Sequence, residues 1–219
     1  MRYRILLADD QRILTEGLAN ILSQRYDVVS TASNGHELVF QAKERNPDVI
    51  VAEIAMPQLN SLDALQILRK AGVKSRLVVL TMHLDVNLAI EAFRAGASAY
   101  VLKLASKDEV IEAIESALHG RNYLSTGFPV DLVSLLSEAV RRPSSEGMKL
   151  TRRQREVLQL VAEGKTMKEV AAILSISTRT AESYKYEIMR ILGVHSNAAL
   201  VHYAIRIGLI TVPTLKLAA

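Results

Sequence analysis

Five side chains in the first half of the sequence have the chemistry to hold a metal ion and a phosphoryl group. Asp9 and Asp10 are adjacent, Glu53 lies in the stretch DVIVAEIAMP, and Thr81 and Lys103 follow further along the chain. Three carboxylates would form an oxygen-rich, negative site that suits a hard divalent cation such as Mg²⁺. A hydroxyl and an amine opposite them would neutralise the oxygens of a phosphoryl group.

These five side chains come at the ends of predicted strands. Short apolar runs predict strands at 3–8, 27–32, 48–52, 76–80 and 99–102. Between them, apolar residues recur at helical spacing, which predicts helices at 12–23, 36–45, 61–71, 85–95 and 107–118. The alternation favours an α/β fold with a doubly wound, five-stranded parallel sheet. Sites in such sheets form beyond the carboxyl ends of the strands, so we expect the five side chains to meet at one edge.

A simpler interpretation is open for two of these residues. Asp10 is placed to cap a helix that begins at Gln11. Lys103 follows the last predicted strand, where it would be a solvated loop residue. Because these acids, hydroxyl and amine converge at four separate strand ends, we favour a shared site over separate structural roles.

Length and composition indicate two globular domains. The chain has 219 residues, of which 49% are hydrophobic, and it has no cysteine. A core of this size is enough for folding, and the absence of cysteine excludes disulfides and thiolate chemistry. The apolar runs are far shorter than the ~20 residues of a membrane helix. We therefore expect a cytoplasmic protein with no membrane partner.

Charge is divided unevenly along the chain. Residues 1–147 carry 16 Lys and Arg against 18 Asp and Glu, whereas residues 148–219 carry 11 against 5. The first part has a net charge of −2 and the second of +6, which sum to the +4 of the whole chain. A compact basic unit at the C-terminus indicates binding to a polyanion.

The second unit is predicted to be all-α, with helices at 152–163, 167–174, 178–192 and 197–207. We place the first domain at 1–120 and the helical domain at 148–212, followed by a tail at 213–219. A linker at 121–147 is predicted to contain a connector helix from Pro129 and the linker-like stretch Arg141–Gly147.

The first domain resembles the flavodoxin-like receiver domain of bacterial two-component response regulators. The resemblance covers residues 3–118 and rests on Asp9-Asp10, a carboxylate followed by I-A-M-P, Thr81, and Tyr100 three residues before Lys103. In that family an aspartate accepts a phosphoryl group from a histidine kinase, and Mg²⁺ is bound beside it.

The resemblance implies a role for each residue of the motif. Glu53 occupies the phosphoacceptor position, Thr81 and Lys103 contact the phosphoryl group, and the orientation of Tyr100 reports activation. The implied Mg²⁺ site consists of Asp9, Asp10, Glu53 and the backbone carbonyl of Ala55.

Glu53 departs from the family pattern. Its extra methylene displaces the carboxylate by roughly 1.5 Å, and an error of about 1 Å in placement costs on the order of 100-fold in rate. We therefore expect Glu53 to be a poor acceptor and at best a partial mimic of a phosphorylated aspartate. Three origins stay open: a natural regulator that is not phosphorylated, an engineered activation mimic, and a glutamate that still reacts. Ser61, where receivers commonly have glycine, is a second departure.

The helical unit contains a predicted helix-turn-helix. Met167–Leu174 is followed by the turn S-I-S and by a helix that Ser177 is placed to cap. The stretch from Leu150 to Ile210 resembles the LuxR-type four-helix DNA-binding domain of NarL/FixJ-class response regulators, on LTxRxxEVLxLxAxG, EVAAxLxIS and GLI.

The LuxR-type resemblance implies that the third helix enters the major groove and that the fourth pairs two copies. The predicted DNA contacts are Lys165, Lys168, Ser177, Thr178, Arg179, Thr180, Glu182, Ser183, Lys185 and Tyr186. The predicted dimer contacts are Ala198, Val201, His202 and Ile205. We expect Ser183, Lys185 and Tyr186 to be more exposed than Tyr184.

The two resemblances together predict a DNA-binding transcriptional regulator and not an enzyme. Its expected partners are double-stranded DNA, a second copy of itself on DNA, and a histidine kinase. An Mg²⁺-dependent phosphohydrolase is a rival prediction, but it needs a nucleophilic aspartate where this chain has Glu53. A regulator that acts only through protein partners is a third.

Overall fold

The computed structural model describes residues 2–128 and 150–210 and divides the chain into two compact units. The predicted connector helix from Pro129, the stretch Arg141–Gly147 and the tail at 213–219 lie outside the described residues. The proposed boundaries of the domains therefore stay predictions. In the part of the chain that is described, no helix is both long and apolar enough to cross a membrane.

The first unit is a parallel sheet covered by helices, as predicted. In chain order its elements are β1 (Arg4–Ala8), α1 (Arg12–Leu22), β2 (Asp27–Ala32), α2 (Gly35–Arg45), β3 (Val49–Ala52), α3 (Ser61–Lys70), β4 (Arg76–Thr81), α4 (Val86–Arg94), β5 (Ala99–Leu102), α5 (Lys107–Leu118) and β6 (Tyr123–Leu124). The strand order is β2-β1-β3-β4-β5-β6, and all pairs are parallel. The order reverses at β1, where doubly wound sheets form their binding crevice.

The prediction of five strands is wrong, because the sheet has a sixth strand at Tyr123–Leu124. The backbone N–H of Tyr123 donates to the carbonyl of Ser98 at 3.0 Å, and that of Ser125 donates to Tyr100 at 2.9 Å. A strand of two residues is too short to show a period of its own. It forms because β5 would otherwise present an unpaired edge.

Alternate residues of the strands pack into two separate cores. Leu6, Ile50, Val79 and Tyr100 belong to one cluster, together with apolar side chains of α2, α3 and α4. Residues one position away along the strands, such as Leu7, belong to the other cluster, with side chains of α1 and α5. Because both faces of the sheet are buried, the strands are continuous apolar runs and their register is strongly specified.

The second unit is helical. Its elements are α6 (Arg152–Ala162), α7 (Met167–Leu174), α8 (Thr178–Leu192) and α9 (Asn197–Arg206). Side-chain caps start each helix: Thr151 and Thr166 form capping boxes, and Ser177 and Ser196 accept backbone N–H groups. Each such cap contributes roughly 0.5–2 kcal/mol, so the helix starts are well determined by the sequence.

A half-buried arginine joins the first helix of this unit to the end of the second. Arg153 pairs with the buried carboxylate of Glu156 at 2.7 Å and also donates to the carbonyl of Leu174, at the end of α7. The turn that follows has Ser175 at φ 53°, a left-handed conformation in which a β-carbon is strained. This left-handed residue ends α7 and opens the short turn to α8, which is the arrangement of a helix-turn-helix.

Candidate functional site

Strand register brings the predicted pocket residues together at the carboxyl edge of the sheet. Ala8 of β1 is aligned with Ala52 of β3, so Asp9 and Glu53 leave neighbouring strands side by side. The backbone N–H of Lys103 donates to the carbonyl of Thr81 at 2.8 Å, which joins the ends of β4 and β5. The crevice at the reversal of strand order therefore contains two of the three predicted acids, together with the predicted hydroxyl and amine.

The ammonium group of Lys103 bridges the two acids. Its Nζ lies 2.6 Å from Oδ2 of Asp9 and 2.8 Å from Oε2 of Glu53. All three side chains are buried, with 4–5% of their surface exposed. Lys103 is therefore not a solvated loop residue. A buried cation between two buried carboxylates is held strongly, because no water screens it.

The titration of the bridge reflects burial and pairing. Burial raises the pKa of Asp9 above its ordinary value, although Lys103 opposes this shift. Burial alone would lower the pKa of Lys103, but the charges of Glu53 and Asp9 outweigh it and raise that pKa. The amine therefore stays protonated in the pocket at neutral pH.

Both oxygens of Glu53 are engaged. Oε1 accepts the backbone N–H of Ile54 at 2.7 Å and that of Ala55 at 3.4 Å, while Oε2 contacts Lys103. The backbone of Glu53 is fixed by its own N–H, which donates to Ala8 at 2.9 Å. The longer side chain thus folds back onto the amides of the following loop.

The predicted Mg²⁺ site is not formed in this arrangement. Asp10 is exposed, whereas Asp9 is buried and its Oδ1 accepts the N–H of Gln11 at 2.9 Å. Helix α1 has Gln11 itself as its N-cap and no side-chain cap hydrogen bond, so the alternative role of Asp10 as a helix cap is wrong. Over residues 2–128 and 150–210, no three His, Cys, Asp or Glu side chains are close enough to hold a metal ion.

The physical reason is that Lys103 already supplies the positive charge between Asp9 and Glu53. Of the predicted ligands, Asp10 lies outside the bridge. The backbone N–H of Ala55 donates to Glu53. The side chains as arranged do not fit a divalent cation, because an ammonium group already lies between the two buried carboxylates.

Thr81 and Tyr100 are linked through His83, which the sequence analysis did not single out. Thr81 is fully buried, and its Oγ1 accepts the N–H of His83 at 3.4 Å. The hydroxyl of Tyr100, also fully buried, donates to the carbonyl of His83 at 2.8 Å. Burial, and secondarily the charge of Glu53, raises the pKa of Tyr100. Tyr100 is therefore turned inward and tied to the β4–α4 loop.

Helix α8 presents one polar face to solvent. Ala181 and Ile188 are buried, and Tyr184 packs against the core, as predicted. Thr178 is half-buried, whereas 70% of Tyr186 is exposed. Lys185 is half-buried like Tyr184, so the expectation that it would be the more exposed of the two is not confirmed, because helical spacing turns it towards the buried side. The remaining predicted DNA contacts are all exposed: Lys165, Lys168, Ser177, Arg179, Thr180, Glu182 and Ser183.

Helical spacing of 100° per residue arranges this face in rows. Four residues lie within about 40° of the direction opposite the core and form an outward row: Arg179, Ser183, Tyr186 and Arg190. Glu182 flanks the row on one side and Glu187 on the other. Glu187 was not among the predicted contacts, because its position on the flank is clear only once Ala181 and Ile188 define the buried side.

The last helix has a groove beside it. Ala198 and His202 are exposed, and Val201 and Ile205 are half-buried against the core. The groove is lined by Leu192, Val194, Ala198, Ala199, His202, Tyr203 and Arg206. The arginine stacks over the tyrosine ring at 5.2 Å. Two of the four predicted dimer contacts, Ala198 and His202, therefore line this groove of mixed polarity.

Two family models match the chain. Residues 5–115 match the response regulator receiver domain, and residues 148–204 match the luxR family of bacterial regulatory proteins. The two matches fall on the two compact units and are in the predicted order.

Full-length relatives have the same organisation. The chain is 31% identical to the transcriptional regulatory protein MctR of Rhizobium johnstonii, covering 96% of each. It is 32% identical to the oxygen regulatory protein NreC of Staphylococcus aureus, covering 93% of this chain and 97% of the relative. It is 28% identical to the response regulator UvrY of Escherichia coli, covering 97% and 98%.

Solved structures share the fold. RcsB of Salmonella typhimurium matches with a TM-score of 0.64 and 23% identity, covering 94% of this chain and 98% of that one. A LuxR-family two-component response regulator from Aurantimonas matches with a TM-score of 0.56 and 31% identity, covering 63% of this chain and 97% of that one.

Proposed function

This chain belongs to the response regulators that join a receiver domain to a LuxR-type DNA-binding domain, and from that premise we propose that its receiver is held in one state by Glu53. In this proposal an aspartyl phosphate does not switch the receiver. The C-terminal unit binds double-stranded DNA as a pair of copies, and the receiver controls pairing and access to DNA.

The observation that carries the proposal is the bridge from Lys103 to Glu53 and Asp9. An acceptor must present a free carboxylate oxygen in line with the donor, and placement errors of about 1 Å cost ~100-fold. Here the oxygens of Glu53 are occupied by Lys103 and by the amide of Ile54. A carboxylate held in this way is a poor nucleophile and a stable partner for the lysine.

Pairing of two copies is proposed through α9. The groove beside α9 and the exposure of Ala198 and His202 support this surface. A two-fold pair would place two copies of α8 on successive major grooves, one helical turn of DNA apart. RcsB of Salmonella enterica, which shares the fold, has been solved bound to promoter DNA, and we extend that activity to this chain as part of the proposal.

DNA binding should depend steeply on salt. Each phosphate contact adds about −0.9 to the slope of log affinity against log salt concentration. Replacing Arg179 with alanine should therefore make the slope shallower by roughly 0.9 and weaken binding to all duplexes alike. Fluorescence anisotropy with a labelled duplex at several salt concentrations measures both quantities.

Arg45→Ala is the matched control for this experiment, because Arg45 is an exposed arginine at the end of α2 in the other unit. It should leave affinity and slope unchanged. If the unmodified protein shows no salt-sensitive binding to any duplex, the proposed function is wrong, and a regulator that acts only through protein partners becomes the better explanation.

Glu182 should limit binding to DNA of arbitrary sequence. A carboxylate beside the outward row of α8 repels phosphates, unless it accepts a hydrogen bond from the amino group of cytosine. At about 1 kcal/mol for a unit charge near 4 Å in water, Glu182→Gln should tighten binding to random duplex roughly fivefold at low salt. Affinity measurements on a random duplex give this value.

The same variant should lose preference at one base pair. Duplexes selected from a random library by the unmodified protein should contain a cytosine that the Glu182→Gln variant no longer selects. Glu44→Gln removes an equal, exposed charge from the first unit and should change neither result. If Glu182→Gln behaves like that control, Glu182 does not face DNA.

A histidine kinase stays a proposed partner. In this proposal it would bind the receiver without transferring its phosphoryl group to Glu53. A natural glutamate and an engineered activation mimic share this behaviour and differ only in whether an aspartate form of the protein exists.

A further inference from the structure

The last described residues of the first unit return to the sheet after α5. Leu124 is aligned with Tyr100 of β5, and the N–H of Ser125 donates to the carbonyl of Tyr100 at 2.9 Å. At Gly127 an added β-carbon would lie only 2.7 Å from Cδ1 of Leu102. The segment 123–128 therefore packs closely along the edge of the strand that carries Tyr100 and precedes Lys103.

Glu109 of α5 fastens this segment. Its Oε1 accepts from the hydroxyl of Ser125 at 2.6 Å and from the N–H of Thr126 at 2.8 Å, and its Oε2 accepts from the hydroxyl of Thr126 at 3.2 Å. Burial opposes ionisation, but these hydrogen bonds lower the pKa of Glu109 below its ordinary value. The carboxylate of Glu109 is therefore ionised at neutral pH and keeps its three hydrogen bonds to Ser125 and Thr126, which together form the Glu109 clamp.

The clamp places Phe128 against the ring of Tyr100. The ring centroids are 5.6 Å apart and the rings are inclined by 77°, an edge-to-face contact. Both side chains are buried, at 6% for Phe128 and 0% for Tyr100. Beyond Tyr100, the contacts continue through its hydroxyl to His83 and from His83 to Thr81.

We propose that Phe128 is a positioning residue that holds Tyr100 inward and so couples the segment 123–128 to the β4–α4 loop at the pocket. This inference rests on the proposed function, because the roles of Thr81 and Tyr100 are taken from it. A buried ring can leave its rotamer only if its neighbours give way, because protein interiors are densely packed. When Tyr100 turns, Phe128 must therefore move, and when Phe128 moves, Tyr100 loses the contact that orients its hydroxyl.

Amide hydrogen exchange of the full chain tests this coupling. Phe128→Leu keeps an apolar side chain but removes the aromatic edge, and Tyr100→Phe keeps the ring but removes the donor to His83. Each should speed exchange of amides 82–86 by about threefold to tenfold, the range expected for one aromatic pair or one hydrogen bond. The double variant should exchange no faster there than Tyr100→Phe alone, since Phe128 acts through that hydroxyl.

Tyr123→Phe is the matched control. Tyr123 lies in the same segment, and its hydroxyl donates to Glu112 at 3.3 Å, away from Tyr100. This variant should leave amides 82–86 unchanged. Amides of β3 (Val49–Ala52) report global opening, so the change at amides 82–86 is counted only where it exceeds the change at β3 in the same variant. If Phe128→Leu unfolds the unit, Phe128→Met replaces it with a flexible apolar side chain of similar length.

Either of two results would overturn the proposal: a Phe128 variant that changes exchange only within 123–128, or effects of the two changes that add. The experiment uses neither DNA nor a phosphodonor. If the chain does not bind DNA, the proposed function is contradicted, but the exchange result can still be interpreted. If the effects of the two changes add, the coupling is contradicted, but DNA binding is unaffected.

Discussion

Glu53→Asp should take up one phosphoryl group from a small-molecule phosphodonor in the presence of Mg²⁺, while the unmodified protein takes up none on the same timescale. Aspartate is shorter by about 1.5 Å, so its carboxylate would no longer fold back to the N–H of Ile54 as Glu53 does. From the cost of misplacement, we expect the aspartate variant to react at least ~100-fold faster. Intact mass spectrometry over time measures the uptake directly.

Two variants keep this result interpretable. Glu53→Asn matches the aspartate variant in length but has no nucleophilic carboxylate and should take up nothing, so that uptake by Glu53→Asp is assigned to residue 53. Glu53→Asp combined with Lys103→Ala removes the amine that would hold the phosphoryl oxygens and should react much more slowly. Uptake by the unmodified protein at the rate of the aspartate variant would contradict our interpretation of Glu53.

If the aspartate variant does not react either, the pocket has lost the chemistry beyond position 53. Ser61 is then the first residue to examine, because it is buried at the start of α3 and its N–H donates to the carbonyl of Ile54 at 3.1 Å. That hydrogen bond ties the loop after Glu53 to α3. Ser61→Gly in the Glu53→Asp background keeps that backbone hydrogen bond and removes only the buried side chain, so it would test whether this side chain is the remaining obstacle.

The sequence predicts the pocket well, because strand ends are local features. Asp9 and Glu53 follow short apolar runs, and parallel strands bring their carboxyl ends to one edge of the sheet. The sequence does not predict which acid Lys103 would contact. That choice depends on side-chain geometry at the edge, where Asp9 turns inward and Asp10 turns to solvent.

The sixth strand and the contacts that depend on it could not be predicted from the sequence either. Tyr123–Leu124 is too short to show periodicity, and its pairing depends on an edge of β5 that exists only in the folded sheet. The contact of Phe128 with Tyr100 depends in turn on that strand and on the clamp by Glu109. In the second unit, by contrast, the caps at Thr166 and Ser177 are local, so the helix-turn-helix was predictable.

Lys103→Met should lower the free energy of unfolding of the first unit by about 3–5 kcal/mol at neutral pH, the cost of removing one partner from a buried ion pair. Methionine fills similar space but leaves Asp9 and Glu53 buried without a cation, 5% exposed each. Lys107→Met changes an exposed lysine at the start of α5 and should cost within about 0.5 kcal/mol. Amide exchange of β3 against urea concentration measures both.

The loss should shrink on acidification. Burial already raises the pKa of Asp9, and without Lys103 that pKa should rise further above its value in the unfolded chain. The folded variant then binds a proton that the unfolded chain does not, so its stability increases as pH falls through this interval. Adding Glu53→Gln to Lys103→Met should recover part of the loss at neutral pH, because one buried charge is gone. A loss below about 1 kcal/mol, or one independent of pH, would mean that Lys103 does not replace a cation in holding the pocket together.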